Sequence, residues 1–317
     1  MFIARQMGFL LTRQSRDVAD QAQVEYWLAT EEGPVRLILT GQQLSFYLPL
    51  RDKERALELF RQHHLHGRLR TTTLNTFQQE PVLACCFPTL SAYHRAVELL
   101  HLHQLTIYES DLRFADVCLM QRFITAGMRF SGHYRQRAGY REVTLTELEP
   151  AEVMPHFRVL SLDVECAMDG ELYSVALLLR EPDGREISTV IMVGTAEPSE
   201  MNIEWVNNEY SLLLALERWL LRHDPDIIIG WNVVNFDFRL LLRRAEFHKY
   251  PLRWGRGQSL MRWRPSRMDD QQGQLILPGR MVIDGIDALK SAAFRFDRFG
   301  LEYVAQELLG RGKAIHD

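Results

Sequence analysis

No stretch of this sequence approaches the roughly 18 uninterrupted apolar residues that a membrane-spanning helix needs. Met1 to Gln14 scatters basic residues among apolar ones, with no compact hydrophobic region or small-residue cleavage site, so no leader peptide is expected. Cysteine is scarce. Cys85, Cys86, Cys118 and Cys166 make no Cys-x-x-Cys or Cys/His pattern, which argues against a disulfide framework and for a reduced, cytoplasmic setting. His63, His64, His66, His101 and His103 have no cysteine or carboxylate at ligand spacing, so they do not read as a zinc site. Internal repeats and low-complexity tracts are also absent, which excludes solenoids and disordered arrays. Nor is there an excess of positive charge: the formal net charge is −4, so any nucleic-acid contact must be local.

What is present is an ordinary globular composition, 46% hydrophobic and 25% charged over 317 residues, which leaves room for two domains. Residues 1–153 read as a mixed α+β unit. Phe9 to Thr12, Val24 to Ala29 and Val35 to Leu39 are β-type runs separated by polar turns. Lys53 to His64 and Ser91 to Leu102 carry helical spacing, a helix is expected over Asp116 to Phe123, and Thr106 to Tyr108 and Phe130 to Tyr134 suit strands. The acidic, proline-bearing stretch Glu147 to Pro155 reads as the boundary. Beyond it, strands are expected over Arg158 to Glu165, Tyr173 to Leu179 and Arg185 to Val193. An amphipathic helix over Glu209 to Arg222, a buried strand over Asp226 to Gly230 and a helix over Phe236 to Phe247 follow. Arg262 to Gln274 reads as an exposed loop or hairpin, with short strands on either side of Pro278-Gly279.

Two segments carry chemistry. In Leu162-Asp163-Val164-Glu165-Cys166, a strand would point Asp163 and Glu165 to one face. In Asp224-Pro-Asp-Ile-Ile-Ile-Gly-Trp-Asn-Val-Val-Asn-Phe-Asp237, an apolar strand ends in Gly230 and leads to Asp237 at a helix start. Either alone has a bland explanation: a solvent-facing acidic pair, or a carboxylate favoured by the helix dipole. Together they offer three carboxylates at strand ends, a donor set suited to Mg²⁺ or Mn²⁺. Asn232 and Phe236 add an amide and an aromatic face fit to grip a nucleic-acid end. Downstream, Arg239, Arg243, Arg244, Lys249, Arg253, Arg256, Arg262, Arg264 and Arg267 alternate with Phe247, Tyr250, Trp254 and Trp263. They read either as a solvated face or as a phosphate-tracking rim. Asp284 and Asp287 stand at a strand-to-helix junction, where an Asp caps a helix.

These motifs resemble the first and second exonuclease motifs of family B DNA polymerases. Gly8 to Arg13, Met120 to Thr125, Ile283 to Ser291 and Leu301 to Gly310 extend the resemblance, to the bacterial polymerase II branch, over essentially the whole chain. The resemblance implies a mixed α+β N-terminal domain (1–153) followed by a ribonuclease H-like α/β 3′–5′ exonuclease domain with a mixed sheet (154–317). It implies Asp163, Glu165 and Asp237 as catalytic metal ligands for two Mg²⁺ or Mn²⁺ ions. Asn232, Phe236, Cys166, Arg243 and Arg244 would face DNA, with Cys166 standing where many members carry threonine. The implied partners are a primer-template, a single-stranded 3′ end and the rest of a polymerase chain, with a sliding clamp reached only through that remainder. The family's third motif, Tyr-x-x-x-Asp, does not occur after Asp237 and is expected beyond Asp317, as are the polymerase subdomains. The chain is thus expected to be part of a longer polymerase, inactive or weakly active alone. Two rivals remain: a stand-alone exonuclease, and a silent nucleic-acid-binding module.

Overall fold

The computed structural model describes residues 1–200, 202–266, 269 and 271–312. It divides into two compact units, Met1–Pro155 and His156–Asp317, each with its own hydrophobic core. No helix among the described residues is long and apolar enough to cross a membrane.

The first unit contains β1 (Phe2–Val18), β2 (Gln21–Ala29), β3 (Val35–Leu39), β4 (Leu44–Pro49), α1 (Lys53–Gln62), β5 (Arg68–Asn75), β6 (Pro81–Phe87), α2 (Leu90–Leu102), α3 (Phe114–Met120), β7 (Gly127–Arg137) and β8 (Tyr140–Pro150). Strands β1, β2, β3, β8 and β7 close a barrel, with β3 and β8 parallel and the other pairs antiparallel. Alternation accounts for β2: Val24, Tyr26 and Leu28 line the core. Its other face is covered too, and the buried Glu25 is held there by Arg36 (2.6 Å) and Arg16 (2.7 Å). Inserted between β3 and β7 is a three-stranded sheet, β4-β6-β5. It shares a core with α1 and α2, built on Phe46, Phe60, Phe87 and Tyr93. The acidic stretch read as the boundary is, in its first half, strand: β8 runs to Pro150, with Glu147 opposite Ser131 and Pro150 opposite Met128. Its charged side chains lie on an exposed surface, which removes the alternation that would have marked it.

The second unit contains β9 (Val159–Cys166), β10 (Leu172–Arg180), β11 (Glu186–Val193), β12 (Ile203–Val206), α4 (Glu209–His223), β13 (Ile227–Gly230), α5 (Asp237–Phe247), β14 (Arg262–Pro265), β15 (Gly273–Ile276), β16 (Met281–Asp284), α6 (Gly285–Ser291) and α7 (Leu301–Leu309). Its main sheet has the order β12-β11-β10-β9-β13-β16, and only β10 runs against the rest. This is the mixed sheet of a ribonuclease H-like fold. Strand β9 sits between β10 and β13, so its residues are placed from both sides. The two strands expected around Pro278-Gly279 exist but part company: β15 pairs with β14 as a hairpin, whereas β16 joins the main sheet beside β13.

Gly230 shows why the buried strand ends as it does. A Cβ there would meet the Leu162 carbonyl oxygen at 2.8 Å and the Val233 side chain at 2.8 Å, so only glycine lets the chain turn against β9.

The other end of this strand is fixed by charge. Asp224 ends α4 in a left-handed conformation (φ 43°). Its carboxylate accepts bonds from Arg256 Nε (3.0 Å) and Arg280 Nη1 (2.7 Å), and Asp226 accepts from Arg256 Nη2 (2.7 Å). Arg280 is 2% exposed and also donates to the Trp254 and Pro225 carbonyls. Burial would raise the Asp224 carboxyl, but Arg256 and Arg280 hold it below its ordinary range. Removing one partner leaves buried charge unanswered. Asp224→Ala is therefore expected to destabilise the second unit by about 3–5 kcal/mol. The check is the urea midpoint read from tryptophan fluorescence in a Trp27→Phe background, where all remaining tryptophans belong to the second unit; an unchanged midpoint would contradict this account.

Candidate active site

Strand alternation places Asp163 and Glu165 on the exposed face of β9, while Leu162 and Val164 point into the core. The third carboxylate arrives from α5. Asp237 is its first residue and is 2% exposed, and its Oδ1 accepts the backbone N–H of Val164 at 2.8 Å. The helix start is thereby pinned to β9 at the residue between the acidic pair. Burial raises the Asp237 carboxyl to about 7; the charges of Asp163 and Asp284 add to the effect, against the Val164 N–H. The neighbouring Cys166 thiol is pushed up by burial and then by Glu165 and Asp237. All three carboxylates therefore belong to one electrostatic neighbourhood. Among the described residues, however, no three His, Cys, Asp or Glu side chains form a ready-made ion cage.

The loop from β13 to α5 presents the other expected residues. Asn232 is left-handed (φ 58°), and its carbonyl accepts the Phe236 N–H at 2.9 Å. Phe236 is 44% exposed, so its ring is free to meet a ligand.

Sequence reasoning undervalued what holds this loop. Asp284, 4% exposed, accepts the N–H groups of Asn232 (3.1 Å), Val234 (3.0 Å) and Ile286 (3.0 Å). It caps α6, as its junction position implied, and it also shapes the loop before Asp237. Only the cap had a sequence signal.

Glu209 was missed altogether. It is 4% exposed and receives Arg244 through two bonds (2.5 and 2.6 Å), the Leu172 N–H (3.0 Å) and a contact with His248 Nε2 (2.6 Å). Arg244, expected to face DNA, is thus committed to tying α5 to the starts of α4 and β10. Arg243, one position earlier, is exposed and has no side-chain partner among the described residues. The basic stretch as a whole does not form one rim. Arg256 is buried with Asp224, Trp254 is fully buried, and Arg239 donates to Gln271 and stacks on Trp263 at 4.5 Å. Arg267 lies outside the described residues.

A family model described as DNA polymerase family B, exonuclease domain, matches residues 107–304. The chain belongs to DNA polymerase family B. A second model, DNA polymerase II, N-terminal, matches residues 8–43 of this family B chain. It is 36% identical to DNA polymerase II of Escherichia coli over 98% of its own length and 39% of the relative's. It is 25% identical to the DNA polymerase delta catalytic subunit of Plasmodium falciparum, over 50% of this chain and 18% of that one. The chain therefore spans about two fifths or less of these relatives. Among solved structures, the family B DNA polymerase of Pyrobaculum calidifontis shares the fold with a TM-score of 0.72 at 18% identity, covering 95% of this chain and 39% of that one.

The raised Asp237 carboxyl sets a pH dependence. Between the ordinary carboxyl value near 4 and about 7, the folded family B chain holds a proton that the unfolded chain has lost. Metal-free stability should then fall as pH rises through this window, by roughly 4 kcal/mol at most. Asp237→Asn should flatten that slope. Urea titrations at several pH values in chelator test this, and an identical slope in the variant would refute it.

Proposed function

We propose that this chain is the N-terminal and proofreading portion of a DNA polymerase II-like, DNA-directed DNA polymerase. Its acidic face at the end of β9 would remove deoxynucleotides from a 3′ end. The observation that carries this reading is Asp237. A carboxyl group buried at a helix start and raised to about 7, beside Asp163 and Glu165, is an arrangement that a divalent cation relieves. The oxygen donors suit Mg²⁺ or Mn²⁺, two ions in a complete site, with water and substrate phosphate oxygens completing the coordination. When bound, such ions supply an activated water and neutralise charge on the leaving 3′ oxygen.

The chain's own residues divide the remaining work. Asp163 and Glu165 offer exposed carboxylates, and Asp237 must lose its proton to join them. Asn232 and the half-exposed Phe236 ring hold the terminal sugar and base of a single-stranded 3′ end, by hydrogen bond and stacking. Arg243 offers a free cation to the strand's phosphates. Cys166 flanks the pair as a protonated thiol, a weaker hydrogen-bond partner than a hydroxyl. Arg244 has no DNA role in this reading, because its guanidinium answers Glu209.

Two measurements test it. Manganese titration of the chain, followed by electron paramagnetic resonance, should show binding that Asp163→Ala with Glu165→Ala weakens about tenfold or more. In a chimera where this chain replaces the matching region of the Escherichia coli relative, 5′-labelled single-stranded DNA should be shortened from its 3′ end. Asp163→Ala should slow that shortening by about a hundredfold. Undiminished 3′ degradation in the variant would sink the proposal.

A further inference from the structure

The outer face of α5 and the β14–β15 hairpin enclose an open cleft of about 770 Å³. At roughly 100° per residue, Asp237, Leu241, Arg244 and His248 share one side of α5, and Arg239, Leu242 and Glu246 share the opposite one. The cleft is lined by the second set, with Arg243 at the border between the two sides and Ala245 beneath, so most of it opens away from the carboxylate face. A DNA end seated at Asp163 and Asp237 would not be its occupant.

The cleft's chemistry is two-fold. Its floor is largely aliphatic: Leu242, Leu252, Leu260 and Met261, of which Leu252 and Met261 are buried. Its rim carries Arg243, Lys249, Arg262 and Arg264, all exposed and none with a side-chain partner among the described residues, against one acid, Glu246. Unanswered cations around an apolar floor stand out in a chain whose net charge is −4. Aromatic faces for base stacking are not on offer here. Arg239 covers one face of the Trp263 ring at 4.5 Å, Gly273 of β15 packs so closely on the same indole that a Cβ there would clash with it, and Tyr250 packs edge-on against Tyr210. Single-stranded nucleic acid without a stacking platform loses much of its affinity for such a groove. An acidic segment with apolar side chains can satisfy both parts at once.

We propose that this cleft docks an acidic peptide segment of a partner protein, its apolar side chains on the Leu242–Met261 floor and its carboxylates against Lys249, Arg262 and Arg264. The proposal does not depend on the nuclease reading. The test is fluorescence anisotropy of the 317-residue chain with a short labelled peptide rich in aspartate and carrying leucine anchors. Oligothymidylate of matching length serves as the competing class of ligand. Saturable peptide binding is expected, weakened about tenfold or more by the triple change Lys249→Gln, Arg262→Gln, Arg264→Gln, and weakened again when the peptide's leucines are replaced by serine. The triple change should leave oligothymidylate binding unaltered. Glutamine keeps these exposed positions polar and uncharged, and a circular dichroism melt matching the parent confirms the fold. A reversed set, Arg262→Glu with Arg264→Glu, repeats the comparison should Lys249 prove necessary for folding. Absence of saturable peptide binding, or peptide binding indifferent to both sets, overturns the proposal. So does a loss confined to oligothymidylate, which would assign the cleft to nucleic acid.

Discussion

A carboxylate removed from water must find donors or keep its proton, and at Asp237 the protein takes something of both courses. The Val164 N–H answers one oxygen, yet burial and the field of Asp163 still lift the group to about 7. That single bond joins the first turn of α5 to the backbone of β9, between the two acidic residues of the strand. Where α5 starts determines where Phe236 emerges and which arginine faces outward. The arrangement is costly without a counter-charge, and the proposed metal role rests on that cost.

The surrounding structure makes this position hard to leave. Asp284 fixes the loop before Asp237 through two N–H groups while capping α6. Glu209, at the start of α4, binds Arg244 of α5 and His248 just past its end, together with the Leu172 N–H of β10. Asp224, at the end of α4, gathers Arg256 and Arg280. Each is a carboxylate at a helix terminus with at least two partners from elsewhere in the chain, and each charged hydrogen bond of this kind contributes about 1.5–3 kcal/mol. Asp284 and Glu209 together leave α5 little freedom to slide along β9, while Asp224 anchors the far end of β13.

What could be read in advance follows from how each element meets solvent. Strand β9, α4 and α5 announce themselves because one face is apolar and the other is not, and Asp163 and Glu165 inherit their shared face from strand alternation alone. Strand β5 carries Arg68, Arg70, Thr71, Thr72 and Thr73, a mostly exposed run with little periodicity to read. The end of β8 is acidic and proline-terminated, and so read as part of the boundary rather than as strand. Arg243 and Arg244 are chemically identical neighbours. Only the buried Glu209, thirty-five residues away for Arg244, separates the outward cation from the structural one. Long-range pairing of that kind leaves no local trace.

The most recognisable wording in the chain is mostly scaffold. In Asp-Pro-Asp-Ile-Ile-Ile-Gly-Trp-Asn, Asp224 and Asp226 answer Arg256 and Arg280, while Ile227 and Ile228 are buried. Gly230 permits the close turn against Leu162, and Trp231 donates its indole N–H to the Phe299 carbonyl at 3.1 Å. Side chains available to a ligand begin only with Asn232 and Phe236. A short polar pair such as Asp163 and Glu165 recurs by chance in many proteins, but a run that must fill a core, turn on glycine and satisfy two arginines tolerates few substitutes. Specificity of wording and proximity to chemistry are therefore carried by different residues. The first reports how tightly the strand and its turn are constrained, and the second is confined to the few side chains that this constraint delivers to the surface.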